Sequence, residues 1–324
     1  MKKIIKCFAV LLVMLVSVFT LAACGGSEET IAIVKLGTHT SLDEIEDAIE
    51  AEIKEKLPNY KIKNYDCNFS ADIITTNISA IKSNKNVKAC VAIATPVAAV
   101  AKSMLTNIPV VFAAVSDPVA AGIVENMEAP EGNVTGTSDA IDIAKLVDLA
   151  KEVNPETKTL GYIYTASEAN SVSNYEKLSK YASESGYTLK AKQISNAAEI
   201  TEVANSLLKG SNKVDALIVT DDNNVASAMN VLAAICAEAG VPCYCAADSE
   251  IKDGGFMGYS VSYTALGTKT GSMVCDIING KAISDIPVSV FESSELNLFY
   301  NSDFVKNSGI VVPEELLAKA TDLK

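Results

Sequence analysis

Runs of contiguous apolar residues alternate along the chain with stretches whose apolar positions recur every three or four residues. TIAIVKLG (30–37) is β-branched, almost uninterrupted and ended by glycine, which predicts a strand. SLDEIEDAIEAEIKEKL (41–57) has helical spacing behind a serine start. KIKNYDCNF predicts a second strand and ADIITTNISAIKSN a helix. VKACVAIATP reads as a buried strand stopping at Pro96, VAAVAKSML as a helix, and IPVVFAAVSDPV as another buried strand. Strands this continuously apolar belong to parallel sheet covered on both faces.

The pattern then restarts. TKTLGYIYTASEANS is a strand followed by a polar loop, and YEKLSKYASESG a helix; YTLKAKQI, VDALIVTDDNN and VPCYCAAD are strands, with helices at AAEITEVANSLLKG and through AICAEAG. Two successive arrays of similar size predict an α/β protein of two doubly wound parallel-sheet lobes. GNVTGTSDAID (132–142), Gly-rich and polar, reads as the first crossing between them. Farther on, GGFMGYSVSYTALGTKTGSMVCDIINGK reads as a strand, a turn and a long helix. SELNLFYNSDFVKNSGI reads as a strand and a short helix, and a last helical stretch follows Pro313.

The start of the chain has a different character. Lys2, Lys3 and Lys6 precede an apolar run from Phe8 to Leu21, the form of a secretory signal. Leu21-Ala22-Ala23-Cys24 resembles the lipobox of bacterial lipoproteins, in which the cysteine becomes the lipidated N-terminus. That resemblance makes residues 1–23 a signal peptide and 24–30 a lipidated tether, GGSEE serving as a solvated leash. A thiol-linked diacyl group has two chains, and at about 0.8 kcal/mol per buried CH₂ it anchors stably. The expected location is the outer face of the cell membrane.

Charge narrows the function. Past residue 23 the chain keeps 24 lysines against 40 acids, a net charge of −16, which excludes nucleic acid as a partner. Every basic residue is lysine. A ligand carboxylate therefore cannot meet a guanidinium fork and must use lysine, hydroxyls or the N–H groups of helix starts. Cys67, Cys90, Cys236, Cys243, Cys245 and Cys275 remain after the leader. C-x-C at 243–245 is too tight for a zinc pair and His39 is the single histidine, so buried thiols are favoured over metal, with one disulfide left open.

Ligands of doubly wound sheets bind beyond the carboxyl ends of the strands. Those ends deliver Thr38 and His39; Thr95 and Pro96; Ser116 and Asp117; Thr165, Ser167, Glu168, Asn170 and Ser171; Thr220 to Asn224; and Asp248 and Ser249. Each loop alone reads first as a helix cap. Six of them around one cleft suit a small zwitterion, with Asp117 or Asp248 pairing an ammonium and hydroxyls with helix-start amides holding a carboxylate. Enzyme chemistry has little to stand on. There is no G-x-S-x-G and no P-loop, the histidine lacks a partner base, Cys90 sits mid-strand, and Asp221-Asp222 are adjacent rather than opposed.

LGTHTSLDEIEDAI, VAIATPVA, IPVVFAAVSDPVAAGIVENMEAPEGNVTGTSD, IYTASEANSV, VTDDNNVASAM and YTALGTKTG resemble the substrate-binding lipoproteins of ABC transporters for tryptophan or tyrosine, over residues 31–313. The resemblance implies a type I periplasmic-binding-protein fold whose lobes, 31–137 plus 262–290 and 138–261 plus 291–324, are joined by a multi-strand hinge. It implies a monomer that binds an amino acid, aromatic ones included, for an ABC permease, without cofactor or metal. Carried over by position, ligand-facing residues are Thr38, His39, Thr95, Pro96, Ser116, Asp117, Ser138, Ser167, Asn170, Ser171, Asp221, Asn223 and Asp248. The chain departs from the family pattern at Lys35 and Leu36, where Gln and Phe are common, and at Thr38, often Glu. A ligand sensor of the same fold for a nucleoside, peptide or sugar, and a lipid-anchored enzyme, are the alternatives.

Overall fold

The computed structural model describes residues 28–291 and 295–324. The leader and Cys24 lie outside them. Thr30, the end of the expected tether, is already the first residue of β1 (Thr30–Lys35), whose six residues are all buried.

β1 belongs to a six-stranded parallel sheet with β2 (Lys61–Asp66), β3 (Val87–Ile93), β4 (Val110–Ala113), β5 (Val134–Ser138) and β11 (Ser289–Val290), in the order β11-β5-β4-β3-β1-β2. The apolar runs explain the interior places: β3 and β4 are buried almost throughout, whereas β2, alternating with lysines, takes an edge. α1 (Thr40–Lys56), α2 (Ala71–Ser83) and α3 (Thr95–Met104) connect these strands.

The second sheet holds β6 (Thr159–Thr165), β7 (Thr188–Ile194), β8 (Ala216–Val219), β9 (Cys243–Cys245), β10 (Met257–Ser260), β12 (Asn297–Tyr300) and β13 (Thr321–Asp322), in the order β13-β12-β10-β9-β8-β6-β7. Only the β10–β12 pairing is antiparallel. Its helices are α4 (Ile143–Val153), α5 (Ala169–Glu184), α6 (Ile200–Leu208), α7 (Asn223–Ser227), α8 (Met229–Ala239), α9 (Asp248–Lys252), α11 (Ser302–Ser308) and α12 (Glu314–Leu317). This is the two-lobed α/β architecture expected from the periodicity. The six described cysteines are free and buried, packed as small apolar residues.

One expectation needs correction. Residues 134–138, read as part of a polar crossing, form β5, entirely buried between β4 and β11. Its composition VTGTS is set by crowding: a Cβ on Gly136 would lie 2.1 Å from the Phe112 carbonyl oxygen. Thr135 and Thr137 satisfy their buried hydroxyls on the Ile286 carbonyl and on Thr270. The chain leaves the first sheet immediately after Ser138.

It returns after Ser260 to form α10 (Tyr263–Ile278), which packs along α1. Here too the approach is close. A Cβ on Gly267 would lie 2.6 Å from the Ile45 carbonyl oxygen, so the two helices meet backbone to backbone. The chain passes to the second sheet once more between β11 and β12.

Candidate functional site

The carboxyl ends of both sheets face each other and touch. Across the gap His39 Nε2 lies 3.3 Å from Asn223 Oδ1, and the hydroxyls of Ser41 and Ser249 are 2.6 Å apart. Two lysines, each reaching an acid of the other lobe, flank these contacts. Lys177 donates to Asp117 at 2.7 Å, and Lys252 donates to Glu44 at 2.8 Å and to Asp248 at 3.0 Å. The lobes are closed on one another.

Between them lies a cavity lined by His39, Ser41, Leu42, Ala114, Asp139 and Tyr263 from one side. Asn170, Asp221, Asn223, Ala226 and Glu250 line the other. About 20 Å³ is open to the centre of a water-sized sphere, enough for one water. A solute of amino-acid size needs the walls to part, which closed flanking ion pairs make a hinge motion.

Of the residues expected at the ligand, His39, Asn170, Asp221 and Asn223 line this cavity. The others do not. Thr38 donates to Asp66 at 2.8 Å and lines an outer hollow. Thr95 and Pro96 form the first turn of α3. Ser116 donates to Asp139 at 2.9 Å, one layer behind the wall, and the buried Ser138 donates to the Ser116 carbonyl. Asp117 is half of a flanking ion pair and also accepts from Ser173 at 3.0 Å. Ser167 is exposed. Ser171 donates to Asp222, and Asp248 is held by Lys252 and the Ser249 amide.

Sequence reasoning missed Ser41, Asp139, Glu250 and Tyr263. Asp139 follows β5, so treating 132–142 as a crossing hid a strand end. Glu250 and Tyr263 sit in the first turns of α9 and α10, where an acid and an aromatic read as cap and core.

The electrostatics of the cavity are one-sided. Its lining holds three carboxyl groups and no lysine. Burial, with Asp139 next, holds Asp221 well above the usual carboxylate range. Burial raises Asp139 against hydroxyl bonds from Ser116 and Tyr263, the latter at 3.0 Å. Burial likewise raises Glu250 far up. Glu168, behind Asn170 and Asn223, is pushed up to about 7 by burial and then by Asp222, although amides of Asn170, Asn223 and Asn224 all donate to it. His39 goes the other way: burial lowers it to about 4, so its ring is neutral near pH 7.

The opposite charge preference comes from backbone. No side chain caps α1, whose N-cap His39 is extended, and Ser41 and Leu42 of its first turn line the cavity. The positive end of a 17-residue helix thus meets the same space as three acids. Such a pairing of acids with a helix start suits a zwitterion.

A family model described as ABC transporter substrate binding protein matches residues 30–324. The chain belongs to this family. As an ABC transporter substrate binding protein it binds a solute and is not an enzyme. It is 33% identical over 284 residues to the tyrosine-binding protein of Clostridioides difficile, covering 86% of this chain and 80% of that one. Among solved structures it is similar to an ABC domain in complex with L-Trp from Streptococcus pneumonia, at 29% identity and a TM-score of 0.84, over 91% of this chain and 99% of that one. A ligand-free, open substrate binding protein from Clostridium difficile shares 32% identity over the same fractions, with a TM-score of 0.68. The better agreement with the ligand complex than with the open form matches the closed lobes of this substrate binding protein.

The flanking ion pairs make a prediction. Asp117→Asn should leave the fold intact and weaken closure by about 1 kcal/mol or less, because the pair is partly solvated. Stopped-flow measurement of bound-solute release should show rates up to a few-fold faster than wild type. The difference should vanish in high salt.

Proposed function

We propose that the chain is a lipid-anchored, extracytoplasmic receptor that closes on a single amino acid, with aromatic ones the first candidates, and delivers it to an ABC importer. The observation that carries this reading is the closed interlobe cavity, where acids and the uncapped start of α1 oppose each other. Tyrosine and L-Trp in the names of two relatives support the ligand class. The proposed contact set is His39, Asn170, Asp221 and Asn223 together with Ser41, Asp139, Glu250 and Tyr263. Of the remaining residues expected from sequence, Ser116 and Ser138 back the wall through Asp139 and the Ser116 carbonyl.

In this reading the lobes are residues 31–137 plus 262–290 and 138–261 plus 291–324, and a ligand drives closure by binding the closed state better. Cys24 carries the lipid. Isothermal titration of protein unfolded and refolded to strip carried-over solute, against the amino acids, is expected to give one-site binding. Silence across the whole set defeats the proposal. For the anchor, Cys24→Ser should move the protein from the membrane fraction to the soluble one.

A further inference from the structure

Within the cavity the unpartnered groups are all of one kind. Glu250 is 2% exposed; its Oε2 accepts from the Ala247 amide at 3.3 Å, while Oε1 is buried without a partner. Asn170 is 3% exposed, and its amide orientation is fixed because Nδ2 donates to the Asp221 carbonyl at 2.9 Å and to Glu168 at 3.3 Å. That leaves Oδ1 facing no donor. His39 completes the set by a tautomer argument. Asn223 Nδ2 donates to Glu168 at 2.6 Å, so Asn223 Oδ1 is what meets His39 Nε2, which must carry the ring's hydrogen. In a neutral ring Nδ1 is then a bare lone pair, and it too is buried without a partner.

Three buried acceptors on residues lining one cavity call for three donors from the occupant, since each left unmet costs desolvation. A tetrahedral –NH₃⁺ has three N–H groups and also the charge that Glu250, Asp221 and Asp139 lack from the protein. Asp139 offers less, its oxygens already taken by the hydroxyls of Ser116 and Tyr263. We infer that a primary ammonium is the group this site is built to take, held by Glu250 Oε1, Asn170 Oδ1 and His39 Nδ1. The assignment rests on the amino-acid reading above for the rest of the ligand. It differs from the sequence expectation that Asp117 or Asp248 would pair the ammonium. Both of those carboxylates are engaged by lysines instead. Neutral sugars and nucleosides lack the group and should not bind.

The test uses the full chain and matched probes: L-tyrosine, N-acetyl-L-tyrosine and tyramine, with the corresponding tryptophan set. Free amino acids should bind, and N-acetylation, which removes both charge and two donors, should weaken binding at least about 100-fold. The decarboxylated amines should keep measurable binding. N-acetyl compounds binding as well as free amino acids overturn the inference while leaving the receptor reading in place. Amines binding where amino acids do not overturns the amino-acid reading and supports the ammonium cradle, and no binding by any probe defeats both. Glu250→Gln keeps the shape and an acceptor for the Ala247 amide but removes the carboxyl group that an arriving ammonium would ionise and pair with. It should weaken L-tyrosine or L-tryptophan about 10- to 100-fold with an unchanged circular dichroism spectrum; wild-type affinity in that variant overturns the assignment.

Discussion

Asp222→Ala is expected to lower the melting temperature by about 10 °C. Asp222 is 1% exposed and lies one residue from the cavity wall, yet its carboxylate faces inward. It accepts from the Thr165 amide at 2.5 Å, the Thr165 hydroxyl at 2.9 Å, the amides of Asn224 and Val225 at 3.0 Å, and the Ser171 hydroxyl. One side chain therefore ties the end of β6 to the start of α7. Bonds to a charged acceptor contribute about 1.5–3 kcal/mol each and do not add fully, so truncation should cost about 4 kcal/mol. For a protein of this size each kcal/mol moves the midpoint by about 2–4 °C. Asp222→Asn, which keeps one acceptor oxygen, should fall between wild type and alanine. Differential scanning calorimetry reads the effect, and an alanine midpoint within 2 °C, or about 1 kcal/mol, of wild type would refute the tie.

The second large effect concerns acid. His39 ionises near its ordinary 6.5 in the unfolded chain and near 4 in the folded one, where burial opposes the charged ring and the Asn223 bond only partly offsets it. Between these values the unfolded state takes a proton that the native state refuses. The stability His39 contributes is thus complete above pH 6.5 and is lost as pH falls toward 4. The loss amounts to about 3 kcal/mol at most. Glu168 runs in the reverse direction: its raised value means the native state holds a proton the unfolded state gives up, so its contribution falls as pH rises from 4.5 to about 7. A raw stability curve mixes the two. The difference between wild type and His39→Asn isolates the histidine, and urea midpoints should show wild type losing ground to the variant from pH 7 down to pH 4. Parallel curves for the two proteins would sink the prediction.

The sequence made the scaffold readable because burial writes itself as contiguous apolar runs, as in VKACVAIATP for β3. β5 escaped for a physical reason: the space beside Phe112 admits only glycine at 136, and neighbouring threonines bond to Ile286 and Thr270, so a core strand took on the composition of a loop. Asp139 was lost with it. The cavity residues that were legible, His39, Asn170, Asp221 and Asn223, stand at strand ends with no competing partner obvious from spacing. Asp117 and Asp248 were equally suggestive by that rule. Lysines on α5 and α9 claim them: the Asp117–Lys177 pair spans the cleft and leaves no local pattern, whereas Asp248–Lys252 is an i,i+4 pair within α9 that only spacing along that short helix would show. Glu250 could have been found only by asking where a first-turn acid points.

The seating of α10 on α1 bears on how the protein is assembled in time. The helix that covers α1 begins at residue 263, and the strand that pairs with β5 lies at 289–290. The lobe that is started first is therefore finished almost last, waiting on partners more than 200 and 150 residues downstream respectively. Such long closures make for slow acquisition of structure. The first sheet thus stays incomplete until the chain has been extended past residue 290, so its amino-terminal half cannot close its core alone.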